Sequence, residues 1–246
     1  MLMLRGRIYG RMRRRSAVAP IGGNDANTVL LLHCDGAAGA TAFPDSSATA
    51  KVATANGDAK VDTTSKKFGT GSLLLDGTGD YLSFVDSDDW HLFAGDCTID
   101  CWVNFAALPG AGVQAMIFSQ RLDGNNSQFL RILNTAGVYT FNLLVNNVSA
   151  ITASMNATLT PVVGAWHHFA VERHGANCNF YHNGVKLVTT VVTAFGAVAN
   201  IAGPASIGAT PTAGSLITGR MDEIRVSKGI ARYAGVAFTP PTQPYS

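Results

Sequence analysis

Carboxylates and helix-type charge pairs are what this sequence has least of. Charged residues make up 14% of the chain, where about a quarter is usual, and glutamate occurs only at Glu172 and Glu223. That shortage excludes long surface helices laced with opposite charges. Two stretches, 132–171 and 187–219, hold no Asp, Glu, Lys or Arg at all. The second has the charge profile of a membrane span, but Gly196, Gly203, Pro204, Gly208, Pro211 and Gly214 interrupt it. No apolar run reaches the roughly 18 residues a span needs, so no membrane partner is expected. Its polar positions are Thr, Ser and Asn, which are cheap to bury against a partner. The stretch therefore reads either as contact surface or as plain uncharged loops.

Paired cysteines are also missing. None of Cys34, Cys97, Cys101 and Cys178 falls in a CxxC pair or a Cys/His finger spacing, so a zinc site is not expected. Cys97 and Cys101 lie four apart on what reads as one strand, about 13 Å from one another at roughly 3.3 Å per residue, too far to bridge. Buried free thiols in a reducing compartment follow.

What is present begins with an arm. Arg5, Arg7, Arg11, Arg13, Arg14 and Arg15 stand within residues 1–15 with no acid among them. The net charge of the whole chain is only +2, so the remainder is mildly acidic. No secretory apolar region follows, since Pro20, Gly22, Gly23 and Asp25 break the sequence, and residues 1–27 are expected to be a basic anchoring arm. Phosphates, or an acidic protein surface with grooves for the interleaved Leu, Ile, Tyr and Met, would suit it.

From residue 28 onward short strand signals recur, at 28–33, 71–75, 80–84, 97–105, 115–120, 128–133 and 139–145. They are separated by turns such as "DGTG", "DGNN" and "NTAG". The stretch 165–190, "AWHHFAVERHGANCNFYHNGVKLVTT", predicts three consecutive antiparallel strands with Asn183-Gly184 as a tight hairpin turn. With no βαβ pattern, the reading is all-β, two antiparallel sheets packed face to face. The end "FTPPTQPYS" carries Pro240, Pro241 and Pro244, which cannot donate to a ladder, and is expected to run as a surface strap.

Three stretches together carry a family resemblance: "KKFGTGSLLLDGTGDYLSF" followed by "CTIDCWVNF", then "WHHFAVERHGANCNFYHNGV", then "MDEIRVSKGIARY" with "FTPPTQPY". In combination they resemble a laminin-G-like member of the concanavalin A-like lectin/glucanase superfamily. The resemblance covers about residues 28–243 and implies a β jelly roll whose first strand lies close to the strand at 221–227. The expected organisation is an arm at 1–27, a jelly roll at 28–238 and a Pro-rich strap at 239–246. Such folds host many functions. The ending "DEIR-SKG-ARY" is similar to that of tailed-phage virion proteins. The expectation is therefore a non-catalytic structural protein of a phage particle, a capsid decoration or tail appendage made in the bacterial host cytoplasm. It would be anchored to other virion proteins by its arm, with a homo-oligomer and surface glycans as further partners. The alternative is a glycan-binding adhesion module.

Catalysis is not expected. The superfamily's hydrolases use two glutamates a few residues apart on one strand, and here Glu172 and Glu223 are far apart in sequence. His167 and His168 are adjacent on a strand and so point to opposite faces. Asp86, Asp88 and Asp89 read as a capped helix start, with Asp86 or Ser87 as the cap. Sugar contact would need exposed aromatic residues, for which Trp90, His91 and Phe93 are candidates. The resemblance would place Asp35 and Asp45 near Asp222, a set that could hold structural calcium, with hydrogen bonds from backbone amides as the alternative. On an unbroken pleat Asp222 would share the inward face of Ile224 and Val226, while Glu223 and Arg225 would pair weakly outside. Ile230 and Tyr233 are the expected anchors of the strap.

Overall fold

The computed structural model describes residues 23–147 and 150–246. The arm arginines, Arg5 to Arg15, lie outside the described residues. The strands, in chain order, are β1 (Thr28–Leu32), β2 (Thr54–Asn56), β3 (Lys60–Asp62), β4 (Ser72–Asp76), β5 (Tyr81–Phe84), β6 (Cys97–Ala107), β7 (Gln114–Arg121) and β8 (Ser127–Thr135). They continue with β9 (Val138–Asn147), β10 (Ala150–Leu159), β11 (Trp166–His174), β12 (Asn177–His182), β13 (Val185–Lys186), β14 (Thr190–Thr193), β15 (Ala205–Ile207) and β16 (Thr218–Lys228). One 3-10 turn, Asp88–Trp90, is capped by the Ser87 hydroxyl, which accepts from the Asp89 amide. No helix among the described residues is long and apolar enough to cross a membrane.

Two eight-stranded antiparallel sheets result. One runs β13-β12-β11-β6-β16-β4-β3, with β1 also paired to β16, and the other runs β14-β10-β9-β8-β7-β15-β5-β2. The first is the covered sheet, whose outer face residues 229–246 cross, and the second the open sheet. Between them lies a single large apolar core. Strict alternation supplies it: Ile99, Cys101, Val103 and Phe105 from β6, Phe169 and Val171 from β11, Phe141, Leu143 and Val145 from β9. All four cysteines are buried and free. The predicted hairpin forms between β12 and β13, with positive φ at both Asn183 and Gly184, as a type I′ turn requires.

Strand β16 organises the covered sheet. One edge pairs with β6 along nearly its whole length, while the other edge pairs with β4 through Thr218 to Met221 and then with β1 through Ile224 to Ser227. The handover between β4 and β1 falls at Asp222 and Glu223. There the ladder bulges: Asp222 faces Trp102 and Arg225 faces Asp100, so three steps on β16 match two on β6. Glu223 takes the left-handed conformation, φ 48°, that absorbs the extra residue. The bulge resets the pleat, so Met221, Ile224 and Val226 all enter the core while Asp222 and Arg225 turn to the outer face. The expectation that Asp222 shares a face with Ile224 is thereby corrected.

Candidate functional site

The outer face of the covered sheet is itself buried. The chain from Gly229 to Ser246, which contains no strand, crosses this face and plants Tyr233, Phe238 and Tyr245 on it. Tyr233 stacks on Phe238 with ring centroids 3.7 Å apart, and both pack against Tyr181 of β12. The strap also rests on the β12–β13 turn, where the Phe238 amide donates to the Gly184 carbonyl at 2.9 Å. A Cβ on Gly184 would lie 2.0 Å from the Phe238 carbonyl oxygen, so only glycine permits that approach. Ile230, an expected anchor, is half-buried and contributes its carbonyl to the Thr98 hydroxyl. Tyr245 is a further anchor, beyond the expected Ile230 and Tyr233.

Beneath the strap the described charged side chains Arg225, Asp100, Glu172 and Glu223 all have hydrogen-bond partners. Arg225 holds Asp100 through two bonds, Nε to Oδ1 at 3.0 Å and Nη2 to Oδ2 at 2.7 Å, with both side chains wholly buried. The Tyr233 hydroxyl adds a third bond to Asp100, and the Tyr245 ring lies 3.8 Å from the guanidinium carbon. Burial alone would raise the Asp100 pKa, but the Arg225 charge outweighs it and holds the carboxyl below its usual range. The expected Glu223–Arg225 pair does not form. Glu223 accepts from His33 at 2.9 Å and from the Tyr245 amide at 2.9 Å. Glu172 accepts from Asn179, the Tyr181 hydroxyl and the amides of Tyr233 and Gly235. Both glutamates are therefore buried strap anchors, not a hydrolytic pair flanking a cleft.

The structure does not bring Asp35, Asp45 and Asp222 together. Asp35 accepts from the amides of Thr70 and Gly71, and Asp45 from those of Leu31, Ser47 and Lys51. Asp222 accepts from Lys67 at 2.7 Å, Phe68 at 3.1 Å and Glu223 at 2.8 Å. Each carboxylate closes its own gap in the backbone ladder, which corrects the calcium set drawn from sequence. Asp222 fills the gap left between β4 and β1; burial pushes its carboxyl up to about 7, against the pull of its amide donors. Among the described residues the group that could hold a metal ion is Asp58, Asp76 and Asp80, whose acceptor oxygens lie within 4.8 Å of one another. Hard oxygen donors from two adjacent turns suit a divalent cation there. Asp80 is buried and already accepts from the amides of Asp58 and Asp76, while Asp58 also pairs with Lys60 at 3.0 Å.

The aromatic candidates are corrected too. Trp90 and Phe93 are buried in the core, Trp90 against Phe84 and Phe118 and Phe93 against Phe195. His91 is half-buried with Nε2 on the Val198 carbonyl at 2.9 Å. The apolar residues after the Ser87 cap fold under the sheet edge, so Trp90 and Phe93 present nothing to a glycan.

The outer face of the open sheet contrasts with all of this. The register of β10, β9, β8 and β7 places its outward residues in three rows: Ser154, Leu144, Phe129 and Ser119; then Asn156, Asn142, Arg131 and Met116; then Thr158, Thr140, Leu133 and Gln114. Three strand gaps make each row about 14 Å wide. The loop 208–217 forms a wall along the β7 side, through the Ser215 carbonyl on the Met116 amide at 2.8 Å and the Ala209 carbonyl on the Ser119 hydroxyl at 3.2 Å. Arg131 is the only charged residue between 124 and 171. Its Nε donates to Asn142 Oδ1 at 2.8 Å and its Nη1 to Gln114 Oε1 at 2.5 Å, and burial draws its pKa downward.

A third surface lies where the two sheets share an edge. Val185, Val188, Val191 and Val192 are more than half exposed there, Val188 at 89%, around a surface cavity of about 500 Å³ lined by Met155, Leu187 and Val188.

Among the described residues, then, one outer face of the β-sandwich is sealed by residues 229–246 and the other, rich in hydroxyls and amides, carries no such strap. Residues 76–232 match the family model of the concanavalin A-like lectin/glucanases superfamily, and the chain belongs to that superfamily. No curated protein matches in sequence. Solved structures with the same fold include one of botulinum neurotoxin type C, a toxin that enters cells dependent upon interaction with two ganglioside molecules. It is 12% identical at a TM-score of 0.62, over 84% of this chain and 49% of that one. The botulinum neurotoxin serotype C1 binding domain is 13% identical at a TM-score of 0.59, over 84% and 50%. The botulinum neurotoxin DC binding domain in complex with SialylT is 10% identical at 0.59, over 84% and 49%. The chain thus spans about half the length of the structures it matches, and at these identities the likeness shows the fold alone.

Proposed function

We propose that this chain is a non-catalytic glycan-binding module whose ligand surface is the outer face of the open sheet. The observation that carries this reading is the part of the array that reaches solvent, Ser154, Asn156, Thr158, Thr140 and Gln114 interleaved with half-buried Phe129, Leu133 and Leu144, over the buried Ser119, Met116 and Asn142. Sugars present hydroxyls to amides and hydroxyls, and C–H faces to apolar side chains. The toxin domains of like fold, one in complex with SialylT and one from a toxin dependent on gangliosides, support the reading by analogy. A glycan array tests it: binding is expected with the native chain and not with Phe129→Ala, and an array without any bound glycan overturns it.

A second reading has its own observation. The row of exposed valines at 185–192 and the acid-free Arg5 to Arg15 segment suit a module displayed on a phage particle, held there by the arm and by a protein neighbour. Deleting residues 1–22 is expected to release the protein from its particle, and retention at full occupancy overturns that attachment.

A further inference from the structure

We propose that Arg131 is the anchor for a carboxylate-bearing sugar, so that the open face recognises acidic glycans. The inference rests on the glycan-binding reading and narrows its ligand class.

Elsewhere on the described residues, three arginines find carboxylates, Arg225 on Asp100, Arg220 on Asp62 and Arg232 on Asp25, while Arg121 and Arg173 donate to backbone carbonyls at the strand ends. Arg131 has no such partner among them, and Glu172 is the only acid between 124 and 221, buried on the opposite sheet. Its charge is nevertheless built in. Nε and Nη1 are held by Asn142 and Gln114. Those amides are fixed in turn, Asn142 by donating to the Met155 carbonyl at 3.1 Å and Gln114 by donating to the Ser215 hydroxyl at 2.8 Å. Two neutral acceptors therefore orient the guanidinium without neutralising it, which leaves Nη2 and the second Nη1 proton for a ligand. A planar carboxylate matches the guanidinium fork in two parallel bonds.

The surroundings suit a sugar better than a protein acid. Phe129 lies two residues along the same strand face, its ring centre 6.0 Å from the Arg131 guanidinium carbon. Asn156, one row partner of Arg131, makes no side-chain bond among the described residues and is free to meet ring hydroxyls. Partial burial of the guanidinium weakens competition from water, so each bond to an anion counts for more there than on an open surface.

Calorimetric titration of the full chain with sialyllactose and with a glucuronate-terminated tetrasaccharide, each beside its carboxyl-reduced form, tests the inference. Binding of the acidic forms is expected, with a loss of about tenfold or more on carboxyl reduction and again in Arg131→Gln, and a smaller loss in Arg131→Lys. An unchanged unfolding midpoint for Arg131→Gln shows that the fold is intact. Acidic-sugar binding that survives either change overturns the inference, as does preference for a sulfated chain irrespective of its carboxylates. Binding of neutral glycans alone, lost in Phe129→Ala, overturns the acidic-sugar inference but leaves the glycan-binding module standing. No binding of any glycan defeats both.

Discussion

Arg225 and Arg131 stand on the outer faces of the two sheets, and each is gripped by two side-chain oxygens. The oxygens differ: Arg225 meets both oxygens of the Asp100 carboxylate under the Tyr245 ring, while Arg131 meets the neutral amides of Asn142 and Gln114 with no strap above it among the described residues. The first arrangement cancels charge and removes water, which suits a structural clasp. The second fixes direction and leaves charge uncancelled, which suits recognition. The same residue type thus serves cohesion on one face and recognition on the other, and the polarity of its acceptors decides which.

Breaking the clasp is expected to give the largest effect. Arg225→Met strands the Asp100 carboxylate in a fully buried site, and the expected loss is about 3–5 kcal/mol in urea unfolding, because an uncompensated buried charge remains. Replacing both partners, Asp100→Leu with Arg225→Met, should recover most of it. If the double variant were no more stable than the single one, the clasp would be more than a charge pair. A smaller loss, about 1–3 kcal/mol, is expected from Glu172→Gln, which must present an N–H where four donors now converge. Limited proteolysis after Gly229 should become faster in the same variant if the loss works through the strap.

Much of the covered sheet was legible in the sequence. Alternation along "CTIDCWVNF" and "WHHFAVERH" marks β6 and β11 and their faces, and Asn183-Gly184 marks the hairpin. The pairing of β1 with the strand at 221–227 came from the family resemblance. What escaped was the phase of β16. A bulge at Glu223 has no signature in residue type, since glycine is the usual occupant of that conformation, so the parity argument put Asp222 on the wrong face. The open sheet was less legible. β10 reads "AITASMNATL", where inward Ala153 and Ala157 are too small to give a clear period against outward Ser154 and Asn156. The candidate site escaped for the same reason, because it depends on register across four strands. Its one available signal was the single arginine at the head of the long uncharged stretch 132–171, whereas the contact-surface expectation fell on 187–219.

A subtler difference between the faces is their response to pH. Asp222, at the seam beside the strap, has its carboxyl pushed up to about 7 by burial, far above its value in the unfolded chain. The folded state therefore holds a proton between about pH 4 and 7 that the unfolded chain has released. The stabilisation is complete below about pH 4 and is lost as pH rises through 7. Measured as the difference in unfolding free energy between the native chain and Asp222→Asn, the native advantage should shrink by about 1 kcal/mol or more from pH 5 to pH 8. His168, held neutral by burial with a pKa lowered to about 4, loses stability in the opposite direction as pH falls, and that slope cancels in the difference. A difference that stayed flat across this range would mean that the three amides keep Asp222 ionised throughout.

The smallest effect on stability is expected where the effect on binding is largest. Arg131→Gln removes a charge that no described carboxylate balances and that burial already disfavours, so little native-state energy is lost. The two hydrogen bonds to Asn142 and Gln114 change with it, but the new glutamine's own amide can donate to the buried Asn142 Oδ1, and the half-buried Gln114 can be rehydrated. The expected change is within about 0.5–1 kcal/mol in the same urea titration that reads Arg225→Met. Salt should sharpen the contrast: adding chloride weakens any anion bound at Arg131, while the Asp100–Arg225 pair, shielded from water by Tyr245, is hardly screened. A loss from Arg131→Gln as large as that from Arg225→Met would make Arg131 a second structural clasp, and the functional difference between the two faces would disappear.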